Sequence, residues 1–216
     1  MFIGHYAPAL FLKGVENKAS LGMLFIAVQF VDILFFPFVL MGIERLNIVP
    51  DFTPSTHFEL IFYPYTHGLL ASVLWGLAFY LIYRILIGKT KRNSIIIGIA
   101  VLSHWFLDLL VHTPDLPLLG DNSLKLGFGI WNNSILTFVV EAGLLFAGLW
   151  YYLKNTNPVN NFIGKYGIIL FSVFMLVLAY LNLFVLPAPE NKIALTVSAL
   201  GSYTMLTVSI RATAYI

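Results

Sequence analysis

Cysteine is absent from the chain. That excludes disulfides and thiolate chemistry, so any metal site must be built from nitrogen and oxygen ligands. Charge is scarce too. Asp, Glu, Lys and Arg make up 10% of the residues, where soluble domains carry about 25%. The net charge is only +2 and the basic residues are scattered, which leaves no footprint for nucleic acid. A cleavable signal peptide is not expected: positions 1–12 lack a basic start, and His5 and Pro8 interrupt their apolar run. No repeat, low-complexity tract or linker divides residues 1–216, so one domain is expected.

What is plentiful is hydrocarbon: 59% of the residues are hydrophobic, as in a protein that lives in a bilayer. A spanning helix needs about 20 mostly apolar residues. Six stretches qualify, roughly 19–43, 67–88, 94–112, 132–153, 166–187 and 191–211. Segment 2–12 is too short to cross, which makes it a re-entrant or interfacial half-helix. The stretches 44–66 and 113–130 read as loops. The expected fold is therefore all-α and polytopic, with six transmembrane helices and an N-terminal half-helix.

Basic residues sort the loops. Lys13, Lys18, Arg84, Lys89, Lys91, Arg92, Lys154, Lys165 and Arg211 fall on one set of helix ends. Glu44, Asp51, Glu59, Asp115, Asp121 and Glu190 fall on the other, with only Arg45, Lys125 and Lys192 among them. The positive-inside rule then puts both termini on the cytoplasmic side of an inner membrane. Arg84 and the Lys89–Arg92 cluster read as anchors at that surface.

The remaining ionisable groups lie inside the spans. Asp32 is at the middle of the first, Glu141 at mid-depth in the fourth, and His67 opens the second. In the third, SHWFLDLLVHTPD carries His104, Asp108 and His112 at four-residue steps. Such residues share one helix face, and at 1.5 Å per residue Asp108 lies about 6 Å beyond His104. A half-helix ending near Lys13 brings His5 to the level of Asp32. A lone polar group in a span can be a packed residue bonded to a neighbouring helix. Each charge at mid-membrane nevertheless costs about 2.5–3.5 kcal/mol, so intramembrane ionisable residues are functional by default. Imidazoles and carboxylates converging from rigid helices are what a divalent cation requires. His57 reads as a solvated loop residue, and Asn132 or Asn133 as a cap on the fourth helix.

The order of these elements resembles a known family. GHYAPAL at the start, an Asp in the first span, PYTHGLL and SHWFLD are similar to the motifs of the YdjM-like inner-membrane proteins, described as predicted metal-dependent hydrolases. The resemblance covers about residues 1–115 and leaves the last two spans outside it. The ligand order is also similar to that of the zinc-dependent phospholipase C and single-strand nuclease superfamily. It implies that Asp32, His67, His104 and Asp108 hold one ion, with Asp108 bridging to a second ion bound by His5. The chain departs from that pattern in lacking an H-x-x-x-E pair after His104 and a further His after Asp32.

The resemblance and the residues together imply a membrane-embedded metal-dependent hydrolase. It would use one or two divalent ions, zinc first, with manganese or magnesium also compatible. The expected substrate is a phosphoester or other ester of a lipid or lipid-linked molecule, reached from the outer half of the bilayer. His112 or Glu141 would accept a proton or orient a ligand from behind. The metal-site region is 1–145. The alternative is a transporter that uses the same His/Asp row as an ion or proton relay.

Overall fold

Short polar side chains set where the apolar runs become helices. The computed structural model describes residues 2–87, 90–158 and 160–211, with side chains through 203, so Lys89 and the side chain of Arg211 lie outside the described residues. Ser20 caps α2 (Leu21–Leu40), Thr90 caps α4 (Lys91–Val111), and Asn133 caps α5 (Ser134–Asn155), each accepting a backbone N–H from three residues on. Asn161 does the same for α6 (Phe162–Phe184), and Asn191 for α7 (Lys192–Arg211). Each cap satisfies one N–H that has no partner within the helix. The helix α3 (Leu69–Leu86) starts without one, after Gly68, and so does the short helix that follows His5.

Helices α2, α3, α4, α5 and α6 are long and apolar enough to cross a membrane. This is the composition of a helical membrane protein. The stretch expected as a sixth span forms a helix, α7, which is not among these five; its last side chains lie outside the described residues. The N-terminal segment forms a 3-10 turn, Ile3–His5, that runs into α1 (Tyr6–Val15). Thirteen residues cannot span a bilayer. They are instead inserted into the bundle, where Ile3, His5, Tyr6, Ala9 and Leu10 are buried against α2 and α5.

Two stretches expected to be loops carry strands. Residues 44–66 contain an antiparallel hairpin, β1 (Arg45–Thr53) with β2 (Thr56–Phe62). Its Leu46, Ile48, Phe58 and Leu60 alternate onto one face and pack against Phe35, Phe36 and Tyr63 at one end of the bundle. Pro50 and Pro54 hide that period-two pattern in the sequence; the ladder is irregular between Ile48 and Thr53, where Asp51 takes a positive φ of 55°. His57 is part of this turn: its Nδ1 accepts the Asp51 N–H at 3.0 Å, so it is not simply solvated. Residues 113–130 contain a second, minimal pair, β3 (Leu116–Pro117) and β4 (Lys125–Leu126).

Backbones come close where glycine lets them. A Cβ on Gly148 of α5 would lie 2.6 Å from the Ala7 carbonyl oxygen of α1, and Gly76 and Gly98 meet in the same way between α3 and α4. Gly148→Ala should therefore force α1 off α5 and cost about 1–3 kcal/mol, as overpacking does. Gly143, whose added Cβ would meet nothing within 4 Å, is the control. Thermal unfolding in detergent should show a lowered Tm for Gly148→Ala and little change for Gly143→Ala.

Candidate metal centre

Four elements deliver the ionisable side chains to one place. His5 ends the N-terminal 3-10 turn, Asp32 lies in the second half of α2, and His67 occupies the turn before α3. His104 and Asp108 lie one turn apart on α4, and His112 terminates it. Apart from Asp32, at 15% side-chain exposure, all are almost wholly buried.

The N-terminal turn is held by Glu141. One carboxylate oxygen, Oε2, accepts the N–H groups of Phe2, Ile3 and Gly4 at 3.0, 2.7 and 3.1 Å. These are the donors that a helix start leaves unpaired, and a carboxylate at that end is favoured by the helix dipole. Glu141 thus fixes the position of His5. Oε2 is thereby engaged in orienting the turn, and Glu141 also lines the cavity beside the cluster.

At the centre, carboxylate oxygens meet ring nitrogens. Asp108 Oδ2 lies 3.1 Å from His104 Nε2, 3.7 Å from His67 Nε2 and 3.8 Å from His112 Nε2. Asp32 Oδ1 lies 3.3 Å from His67 Nε2 and 3.6 Å from His104 Nε2. The other oxygen of Asp108, Oδ1, is 3.1 Å from His5 Nε2. His5 and His104 stack face to face with ring centroids 3.7 Å apart.

The far side of each ring decides its tautomer. His104 Nδ1 lies 2.7 Å from the Val28 carbonyl oxygen, which can only accept, so Nδ1 carries the proton. The Thr66 hydroxyl donates to Glu44 Oε2 at 2.7 Å and must therefore accept from His67 Nδ1, also at 2.7 Å. His112 Nδ1 donates to Asp115 Oδ1 at 3.0 Å. In the neutral state all three rings then point an Nε2 lone pair at a carboxylate. His104 Nε2 is buried, close to two carboxylate oxygens, and makes no hydrogen bond. Acceptors facing acceptors repel unless a positive charge lies between them. Protonating His5 and His104 together would stack two cations at 3.7 Å.

A metal ion meets the requirement. Zinc ligands at about 2.0–2.2 Å in a tetrahedron are ~3.3 Å apart along each edge. The four contacts that join Asp32 Oδ1, His67 Nε2, His104 Nε2 and Asp108 Oδ2 run from 3.1 to 3.7 Å. Within each of the groups His5/His104/Asp108 and Asp32/His67/His104, the ligand atoms lie within 4.8 Å of one another, and each can hold a metal ion. His112 joins them more closely than its place at the end of α4 suggests: its ring is buried, lies tilted against Trp131 with centroids 4.2 Å apart and turns Nε2 inward.

Three contributors lie outside the expected set. Asp115 has a sequence signal, the H-T-P-D spacing that returns its carboxylate to the His112 ring. Glu44 and Tyr203 have none. Glu44 is fully buried and also accepts the N–H groups of Tyr65 and Thr66, at 2.9 and 3.0 Å. Burial pushes its carboxyl pKa up, and the nearby His67 with the Thr66 and Tyr65 bonds pulls it back. Tyr203 of α7 donates its hydroxyl to Asp32 Oδ2 at 3.1 Å. Arg84 and Arg92 stay at the other end of the bundle; Arg92 pairs with Glu16 at 2.9 Å.

No family model matches the chain, and neither does any curated protein or solved structure.

The carboxylate–hydroxyl–imidazole chain from Glu44 to His67 is testable. Groups that orient a ligand from behind change metal affinity by about 10–100-fold. Glu44→Gln should weaken zinc binding by about that factor, measured by competition with a chromogenic chelator. Unchanged affinity would mean that His67 is held by packing alone.

Proposed function

We propose that the chain is a membrane-embedded metal-dependent hydrolase acting on a phosphoester or other ester of a lipid or lipid-linked molecule. One observation carries this reading: the buried Nε2 atoms of His67, His104 and His112 and the carboxylates of Asp32 and Asp108 converge, with each Nδ1 engaged on the far side of its ring, and they do so at the wall of a cavity. That cavity, about 300 Å³, is lined by Asp32, His67, Asp108, His112 and Glu141, and elsewhere mainly by apolar side chains with Asn182, Ser198 and Ser202 among them. A metal that only tied helices together would favour a closed, fully protein-ligated site, whereas an enzyme keeps one face open. The open face supports catalysis.

In this reading Asp32, His67, His104 and Asp108 hold one ion, and His5 with the second oxygen of Asp108 serves an adjacent position. A zinc-like ion supplies a Lewis acid and lowers the pKa of a bound water to about 7. Glu44, through Thr66, and Val28 keep His67 and His104 in the tautomer that ligation needs. Asp115 does the same for His112, whose Nε2 faces the cavity and is positioned to take a proton from the attacking water and return it to the leaving group. Glu141 keeps His5 in register. The same reading makes the chain a relative of the YdjM-like inner-membrane hydrolases, with both termini on the cytoplasmic side.

The test is metal analysis of detergent-purified protein. Wild type should hold stoichiometric metal, and His104→Ala and Asp108→Ala should lose it. His112→Gln should keep the metal but lower kcat by about 10²–10⁴-fold on a panel of phospholipids and lipid-linked phosphates. Wild-type protein that never takes up zinc or manganese overturns the hydrolase reading.

A further inference from the structure

The cavity beside the cluster has a second wall, and that wall belongs to the last two helices. From α6 it takes Leu178, Ala179, Asn182 and Leu183, and from α7 Leu195, Ser198 and Ala199. On each helix these residues recur at three- and four-residue steps, so each presents one face to the cavity. Yet the two helices do not pack along one another in the described residues: α6 lies on α5, and α7 on α2. Between them is a seam, and the cavity fills it. On either side of the seam, Val173 and Val177 of α6 and Ile193 and Val197 of α7 turn exposed apolar side chains outward, as a surface facing hydrocarbon does.

The seam is wide at the backbone and small in volume. Ala179, Ser198, Ala199 and Ser202 keep its walls low, and the hydroxyls of Ser198 and Ser202 donate back into their own helix, to Leu195 and Ser198 carbonyl oxygens. These two hydroxyls are therefore turned away from a passing chain, and the Asn182 amide is the polar group that α6 adds to the wall. A volume of about 300 Å³ lies at the lower end of the roughly 300–1,000 Å³ of small-molecule sites. It holds a compact head and the start of one hydrocarbon chain, and leaves no room for the glycerol and two chains of a diacyl lipid.

We propose that the α6–α7 seam is a lateral entrance for a single-chain phosphoester lipid, a monoacyl or monoalkyl amphiphile. Its head reaches Asp32, Asp108 and the histidines while its chain remains between Ala179 and Ala199, in contact with the bilayer. The assignment rests on the hydrolase reading for the head but not for the chain: the seam selects by width whether or not bond cleavage follows. It also gives the last two helices a task. Tyr203, on the same face of α7, ties the seam to the site through its bond to Asp32 Oδ2.

The test uses the full chain in lipid nanodiscs, loaded with zinc, and two photoreactive probes: a lysophosphatidylcholine with a mid-chain diazirine, and a diacyl phosphatidylcholine with the same label. Mapping by mass spectrometry should find saturable labelling within 178–186 and 195–202 by the single-chain probe, about tenfold above the diacyl probe. Ala179→Trp and Ala199→Trp should each abolish that labelling while leaving zinc content unchanged. Equal labelling by both probes, or labelling confined to the outward faces of α3 and α5, overturns the proposal on wild-type protein, whatever the variants do. The two readings fail separately. Seam labelling without metal uptake sinks the hydrolase and leaves the entrance. Metal uptake with cleavage of a water-soluble phosphodiester, but without seam labelling, does the reverse.

Discussion

Everything at one end of this molecule answers to a local electrostatic problem: imidazole lone pairs and carboxylate oxygens are held 3.1–3.8 Å apart, away from solvent. Each partner on the far side of a ring makes the problem sharper. Val28, Thr66 with Glu44, and Asp115 all accept the Nδ1 proton, and so each turns a lone pair inward. The cost of such an arrangement in a low-dielectric setting is several kcal/mol per group unless a cation offsets it. A fold that keeps four elements pinned to that geometry has built a place that could hold a cation.

The scaffold shows how the pinning is done. Caps fix where the helices begin, glycines let α1 approach α5 and α3 approach α4, and Glu141 gathers three backbone N–H groups to hold the residues before His5. The hairpin β1–β2 closes the same end of the bundle through Leu46, Ile48, Phe58 and Leu60. None of these features touches an ion, yet each removes a way for a ligand to drift. A displacement of about 1 Å is enough to spoil such a site.

Much of this was legible in the residues because hydropathy and helical spacing are local signals. The five apolar helices, the burial of the N-terminal segment, and the shared face of His104 and Asp108 follow from runs and four-residue steps. The convergence of His5, Asp32 and His67 followed from depth. What could not be read was non-local or masked by turn chemistry. Pro50, Pro54 and the positive φ of Asp51 disguised a hairpin as a loop. Glu44 and Tyr203 reach their partners across 22 and 171 positions of chain with no spacing to announce it. Glu141 has the right depth for chemistry, and only the three N–H groups around it reveal an anchor.

The anchor carries a consequence for biogenesis. Ile3 and Glu141 are 138 positions apart. At about 5–20 residues per second, roughly 7–30 s of synthesis separate the two. Throughout that interval the N-terminal N–H groups lack their carboxylate, and His5 lacks its place beside Asp108. The turn Ile3–His5 is therefore translated well before its partner and docks late, and the nascent protein cannot assemble its centre helix by helix. Completion of α5 is the step that lets the turn carrying His5 dock, and α7 then adds the Tyr203 bond to Asp32.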